Sequence, residues 1–207
     1  MIGIVDYGVG NLFSLYSSLK YLGIDCAVSA DKQELKRADG IILPGVGAFA
    51  DAYSKLEQSG LVDFIKGEAH VGKPLLGICL GMQLLLDESF EYGRHKGLGL
   101  IRGSVVPIRN ELKEAVKVPH MGWNSLNIKN GGGLLKYNTN GEFVYYVHSY
   151  YAQADEDSTT STSSYGGVTI TGSVARGNVY GTQFHPEKSG AVGLKMLKAY
   201  AELCKRR

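Results

Sequence analysis

The sequence predicts an α/β fold, an open mixed sheet, mostly parallel, flanked by helices, with antiparallel additions in its second half. Two observations carry this. Up to residue 80, short apolar runs alternate with stretches of helical spacing, and the runs are apolar at nearly every position, as strands covered on both faces are. From residue 98 onward the chain breaks into brief β-rich runs separated by glycine and asparagine turns.

In chain order, Ile2-Gly3-Ile4-Val5 reads as a strand, and Leu12 to Leu22 as a helix ended by Gly23. A second strand passes through Cys26 and Val28. A third, Gly40 to Leu43, stops at Pro44-Gly45. Residues 51–66 carry an amphipathic helical pattern in Tyr53, Leu56, Leu61, Phe64 and Ile65, and Leu75–Ile78 is a fourth strand. The later runs are 98–109, 116–118, 125–128, 143–150, 168–175 and 178–184, either additions to the same sheet or a small second one. A helix over 189–205 ends the chain, its basic tail Lys205-Arg206-Arg207 read as solvated charge that suits the helix dipole. Asn130–Gly133 reads as a loop. The Ser/Thr-rich run Asp155–Ser164 has little to bury and is expected to be a mobile surface excursion. No boundary divides the sequence, so residues 1–207 are expected to form one domain.

The 207 residues suffice for a substantial core, and the net charge of +2 offers no broad attraction to nucleic acid or anionic lipid. Met1-Ile2-Gly3-Ile4-Val5-Asp6 lacks the basic start of a signal peptide, and no run has the length of a membrane span. Three cysteines without a disulfide framework suggest a reducing compartment, the cytoplasm. Cys26 shares a strand face with Ile24 and Val28, and Cys204 shares a helical face with Leu197 and Ala201, so both are read as core.

Cys79 differs. In Gly77-Ile78-Cys79-Leu80-Gly81 it stands between glycines where an apolar strand turns into a helix, the arrangement of a nucleophile elbow with sulfur in place of a hydroxyl. A helix N-terminus favours thiolate. Taken alone, a buried structural cysteine is an equally good reading. Of five histidines, His70 and His95 lie in polar, glycine-bearing sequence and are expected to be exposed. His185 ends a strand and precedes Pro186-Glu187. Proline biases the residue before it to extended backbone, which lets Glu187 reach and orient the imidazole, as a nucleophile's base requires. Pro44-Gly45-Val46-Gly47-Ala48-Phe49 also follows a strand. Its glycines could turn the main-chain N–H groups of Val46 and Gly47 toward an oxyanion, with the N–H of Leu80. Gly8-Val9-Gly10 is followed by Phe13, so no dinucleotide fingerprint is present; no cofactor and no metal site is expected.

Together, Gly77 to Gln83, Pro44-Gly45-Val46-Gly47 and His185-Pro186-Glu187 resemble the class I, or triad, glutamine amidotransferases, whose flavodoxin-like sheet agrees with the predicted fold class. Asp6-Tyr7-Gly8-Val9-Gly10-Asn11, Pro119-His120-Met121-Gly122-Trp123-Asn124 and Lys188-Ser189 are similar to the glutaminase subunits of imidazole glycerol phosphate synthases. Gly190 departs from that pattern, where a polar residue is usual. The resemblance implies that Cys79, His185 and Glu187 hydrolyse glutamine to glutamate and ammonia through a thioester. It implies an oxyanion hole at Val46, Gly47 and Leu80, and glutamine contacts at Gly45, Gly47, Gln83, Glu91, Ser149 and Tyr150. It also implies a heterodimer with a (β/α)8-barrel cyclase that takes up the ammonia in histidine biosynthesis. Trp123 would be an interface anchor, with a core aromatic as the other reading, joined by Asn11, Met121, Asn124 and Lys188. Competing readings are a triad glutaminase serving chorismate or pyridoxal phosphate synthesis, a non-catalytic module of the same fold, and a stand-alone cysteine hydrolase.

Overall fold

The structure, a computed structural model, describes residues 1–205. Its first half comprises β1 (Ile2–Val5), α1 (Leu12–Tyr21), β2 (Cys26–Ser29), α2 (Lys32–Arg37), β3 (Gly40–Gly45), α3 (Phe49–Gln58), α4 (Leu61–His70), β4 (Leu75–Cys79) and α5 (Leu80–Leu84). Strands dominate the second half: β5 (Glu88–Ser89), β6 (His95–Lys96), β7 (Gly103–Pro107), β8 (His120–Ser125), β9 (Asn127–Ile128), β10 (Phe143–His148), β11 (Tyr150–Ala154), β12 (Thr159–Tyr165), β13 (Val168–Arg176) and β14 (Val179–Thr182). The helix α6 (Gly190–Cys204) comes last.

Among the described residues the main sheet has the order β2-β1-β3-β4-β14-β13-β12-β9. Pairing from β2 across to β14 is parallel, and β13, β12 and β9 extend the sheet antiparallel. Two smaller sheets, the ribbon β10-β8 and the group β11-β7-β5-β6, stand apart from it. Both alternatives for the second half are therefore realised. Gly45 is in register with Cys79, and Ile78 with Thr182. That register delivers the residues following β3, β4 and β14 to one edge, the carboxyl edge where α/β sheets place their ligands.

The central parallel strands β1, β3 and β4 are apolar because alternate residues meet different helical layers. Ile2, Ile4, Ile42, Leu76 and Ile78 pack with Leu15 and Leu19 of α1 and Met196, Leu197 and Tyr200 of α6. Val5, Ile41, Leu43 and Leu75 pack against Leu35, Phe49, Leu56, Leu61 and Ile65 of α2, α3 and α4. Cys26 and Cys204 are buried in the first layer, as their strand and helix faces predicted.

Several elements differ from the sequence reading. The helix expected over 51–66 is two helices, broken at Ser59-Gly60 where Gly60 turns left-handed at φ 67°. The short helix α2 was not foreseen; Asp31 caps it by accepting from the Glu34 N–H at 2.8 Å. Residues 116–118 form no strand: Lys117 is exposed between half-buried Val116 and Val118, and Pro119 has no N–H to offer a ladder. The pairing there is made by β8 instead. The run 143–150 divides into β10 and β11 in two different sheets. Arg206 and Arg207 of the basic tail lie outside the described residues. His70 is exposed as expected, although it is the last residue of α4, whereas His95 is half-buried in β6.

The largest correction concerns Asp155–Ser164. It is no surface excursion: residues 159–165 are β12, paired on both edges with β13 and β9, and Ser161 is fully buried. Its hydroxyls are buried because they satisfy one another. The Ser173 hydroxyl is shared with Thr160 at 2.7 Å and Ser161 at 2.6 Å, and Ser163 bonds Tyr146 at 2.9 Å. Ser173→Ala would strip both β12 hydroxyls of a partner. We expect it to cost about 1–3 kcal/mol of unfolding free energy, read by denaturant titration.

Candidate active site

Strand β4 enters α5 through a residue that cannot relax. Cys79 sits at φ 54°, ψ −110°, a conformation that costs a non-glycine residue of order 1–3 kcal/mol. Its neighbours hold it there by close packing. A β-carbon on Gly81 would lie 1.8 Å from the Leu43 carbonyl oxygen, and one on Gly77 2.6 Å from that of Gly81. The turn therefore presents the Cys79 side chain at the carboxyl edge of the sheet.

Strand β14 delivers the imidazole to the same place. The main-chain N–H of His185 donates to Tyr145 at 2.9 Å, and its carbonyl accepts from the Ser189 hydroxyl at 2.6 Å. Pro186–Lys188 turn in a single 3-10 loop, which brings the Glu187 carboxylate back onto the ring: Nδ1 lies 2.8 Å from Oε1, both side chains almost fully buried. Nε2 has no hydrogen-bond partner among the described residues, and the ring lines the same cleft as Cys79. Burial pulls the His185 pKa down, yet the interactions with Cys79 and Glu187 outweigh it and raise the group to about 10.

The sulfur has two further neighbours. As a thiol it donates toward the Val147 carbonyl at 3.9 Å, and it accepts from Nε2 of Gln183 at 3.7 Å. Gln183 in turn accepts from Nε2 of Gln83 at 3.1 Å, and Gln83 also donates to the Tyr150 carbonyl at 2.9 Å. The same carbonyl takes a bond from Nδ1 of His148 at 2.9 Å; His148 Nε2 faces Nδ1 of His120 at 3.0 Å, and Asn124 reaches the other His120 nitrogen at 3.3 Å. Burial lowers the pKa of His120 to about 4 and, with the neighbouring His120 charge, that of His148 to about 3. Both rings are neutral near pH 7, which suits a directional chain of single bonds.

Cys79, His185, Val46, Gly47, Leu80 and Gln83 line one cleft of about 440 Å³, a size suited to a small ligand. Glu91, Ser149 and Tyr150 complete its wall. The buried Glu91 carboxylate accepts from the Phe49 N–H at 2.6 Å, so it serves as the cap that α3 lacks from its own sequence. Burial raises its pKa, against that bond. Tyr7 holds the end of β3 by donating to the Pro44 carbonyl at 2.7 Å. Gly47, at φ 96°, has the backbone freedom that turning its peptide requires. Gly45 does not line the cleft. It is packed beneath the elbow, where a β-carbon would meet the Gly81 nitrogen at 2.8 Å.

The residues expected at a partner interface are spread around this edge. Met121 and Trp123 project from β8 with 61% and 56% exposure, which removes the core reading of Trp123; its ring meets Tyr145 edge-on. Lys188 is exposed beside Glu187. Asn11 caps α1 by accepting from the Ser14 N–H at 3.3 Å, and Asn124 is engaged with His120 and the Ser164 carbonyl. Sequence reasoning missed Gln183 and His148. The signal for Gln183 was its place two residues before His185 in an extended run, which sets both side chains on one side. His148 carried no such signal, since the chain bends at Ser149 between β10 and β11.

The profile described as "Glutamine amidotransferase class-I" matches residues 3–200. The "Imidazole glycerol phosphate synthase subunit HisH" of Geobacillus thermodenitrificans is 52% identical over 202 residues, covering 97% of this chain and 94% of that protein. The protein of the same name from Caldanaerobacter subterraneus is 47% identical over 205 residues, 99% of each chain. Among solved structures, a "Crystal structure of glutamine amidotransferase" superposes with a TM-score of 0.76 at 19% identity, covering 99% of this chain and 98% of its own. "Structure of PurLQS from Thermotoga maritima" gives 0.72 at 22%, with 97% of each chain covered. These two likenesses speak to the fold. Among the described residues no cluster of three or more His, Cys, Asp or Glu side chains could hold a metal ion, and no helix is long and apolar enough to cross a membrane.

The charge interactions around His185 have a measurable consequence. Both partners raise its pKa, so Glu187→Gln and Cys79→Ala should each bring its titration well below about 10. Following the ring resonances by NMR against pH checks this; an unmoved titration in both variants would show that neither partner sets it.

Proposed function

The chain belongs to the class I glutamine amidotransferase family, and on that premise we propose that it is the ammonia-producing subunit of an imidazole glycerol phosphate synthase. The carrying observation is the strained Cys79 turn beside a buried His185–Glu187 couple at one end of a cleft sized for an amino acid. Near-full-length identity of about half to the named synthase subunits supports the choice of synthase.

In this reading Nε2 of His185 takes the Cys79 thiol proton, and the sulfur attacks the side-chain amide carbon of glutamine. The oxyanion that forms is met by the N–H of Leu80 and by peptides of the Val46–Gly47 loop. His185 returns the proton to the amide nitrogen, the C–N bond breaks, and ammonia leaves a thioester on Cys79. Water, deprotonated by His185, then attacks the thioester; glutamate departs and the thiol is restored. Glu187 keeps Nδ1 occupied, so that Nε2 is the nitrogen that exchanges protons. Glu91 takes the substrate α-amino group with the carboxylate oxygen not used by Phe49. Gln83, Ser149 and Tyr150 border the bound glutamine, the Gln83 NH₂ being held by Gln183 and the Tyr150 carbonyl.

Ammonia released into water at neutral pH becomes ammonium, so the product is handed to a (β/α)8-barrel cyclase docked over this edge. Met121 and Trp123 supply the exposed apolar anchors, with Lys188, Asn11 and Asn124 around them. The setting is the cytoplasm.

Cys79→Ala should abolish glutamine hydrolysis, by about 10³-fold or more, while added ammonia still supports cyclisation in the reconstituted heterodimer. Retained glutaminase activity would refute the nucleophile. Trp123→Ala should weaken association with the cyclase about ten- to a hundred-fold, measured by titration calorimetry; equal affinity would remove Trp123 from the interface.

A further inference from the structure

We infer that Gln183 is a positioning residue for the reaction, a fixed hydrogen-bond donor that steadies the Cys79 thiolate and is itself locked in that orientation by Gln83. The inference deepens the proposed function and rests on Cys79 being the nucleophile.

The orientation is fixed by elimination. The Tyr150 carbonyl can only accept, and it lies 2.9 Å from the Gln83 side-chain nitrogen. That contact decides which end of the Gln83 amide faces it. The second hydrogen of the same NH₂ group then points to Gln183, 3.1 Å away, and requires an oxygen there. What remains facing the sulfur, at 3.7 Å, is the NH₂ of Gln183. Turning the Gln183 amide over would set nitrogen against nitrogen on one side and oxygen against sulfur on the other. Gln183 is fully buried, so no solvent competes for either end, and its main-chain N–H is tied to the Gly172 carbonyl at 2.8 Å. A hydrogen bond to an ionised acceptor is about twice as strong as one between neutral groups, so this donor favours the thiolate over the thiol.

The amide complements the imidazole. His185 can stabilise sulfur only while it holds its proton, and it gives that proton to the departing nitrogen. Gln183 keeps its donor throughout. It is therefore in place when the thioester collapses and sulfur must leave as an anion, the step in which His185 is recovering the proton of the attacking water.

The test is the pH dependence of Cys79 alkylation by iodoacetamide in the full-length protein, the labelled site assigned by peptide mass mapping because Cys26 and Cys204 are also present. Gln183→Met keeps the shape and removes the donor. Its alkylation midpoint should rise by about one pH unit, a roughly ten-fold loss of rate below the midpoint. Gln83→Met leaves Gln183 in place but frees its amide to turn; it should move the midpoint the same way by less, and the double variant should show little beyond Gln183→Met alone. A wild-type midpoint in whichever of these variants folds, alongside a Cys79→Ala protein that has lost glutamine hydrolysis, would overturn this inference and leave the nucleophile standing. Hydrolysis surviving in Cys79→Ala would overturn both.

Discussion

A β-carbon at position 81 would fall 1.8 Å from the carbonyl oxygen of Leu43, so α5 can lie this close to β3 only because that residue is glycine. Gly77 and Gly45 repeat the condition on either side, each facing the backbone of the turn. With three main-chain segments pressed together, Cys79 is held at a dihedral pair it would otherwise leave. The parallel register then sets the ends of β3 and β14 beside it, so the Val46–Gly47 loop and the His185–Glu187 couple arrive without any long-range loop having to find its place. The strain at one residue is offset by the packing of two helical layers against the sheet, a division usual at functional sites.

The electrostatics of the edge sort three histidines into two roles. His185 is buried with Cys79 and Glu187 for neighbours, and their interactions raise its pKa to about 10; His148 and His120, buried with no such partner, fall to about 3 and 4. One imidazole is thus equipped to hold and pass a proton, while its neighbours stay neutral and serve as directional links between Asn124 and the Tyr150 carbonyl. That carbonyl is a junction, since it also receives Gln83 and through it governs the amide nearest the sulfur. The strand pair β8–β10 carries Trp123 on its exposed side and His120 and His148 on its buried one, so the expected docking surface and the cleft wall belong to the same two strands.

The first-half alternation and the apolar strands were legible because each carries its own periodicity. The Ser/Thr run was misread because hydroxyl-bearing residues look solvated until their partners are known: Ser161 is buried only because Ser173, on the neighbouring strand, is there to bond it. The break between α3 and α4 hid in a Ser-Gly pair inside an unbroken amphipathic pattern. Of the site, the positions of Cys79, His185 and Glu187 could be singled out in the sequence, as could the glycine loop at Val46–Gly47, since each follows an apolar strand. Gln183 gave no such signal apart from its spacing to His185, and the bonds by which the Gln83 NH₂ ties Gln183 to the Tyr150 carbonyl could not be read from its place on α5.

By itself the sequence determined the order of the parallel strands in the chain, the family, and the residue types that carry the chemistry, because local periodicity and short motifs are properties of neighbours in the chain. Only the tertiary structure decided which face of each residue mattered. It set Gly45 beneath the elbow instead of in the cleft, made Glu91 the cap of α3, placed Trp123 outward and turned the Gln183 amide toward sulfur. Each of these depends on a partner from a distant segment, and hydrogen-bond direction and burial exist only once those segments have met.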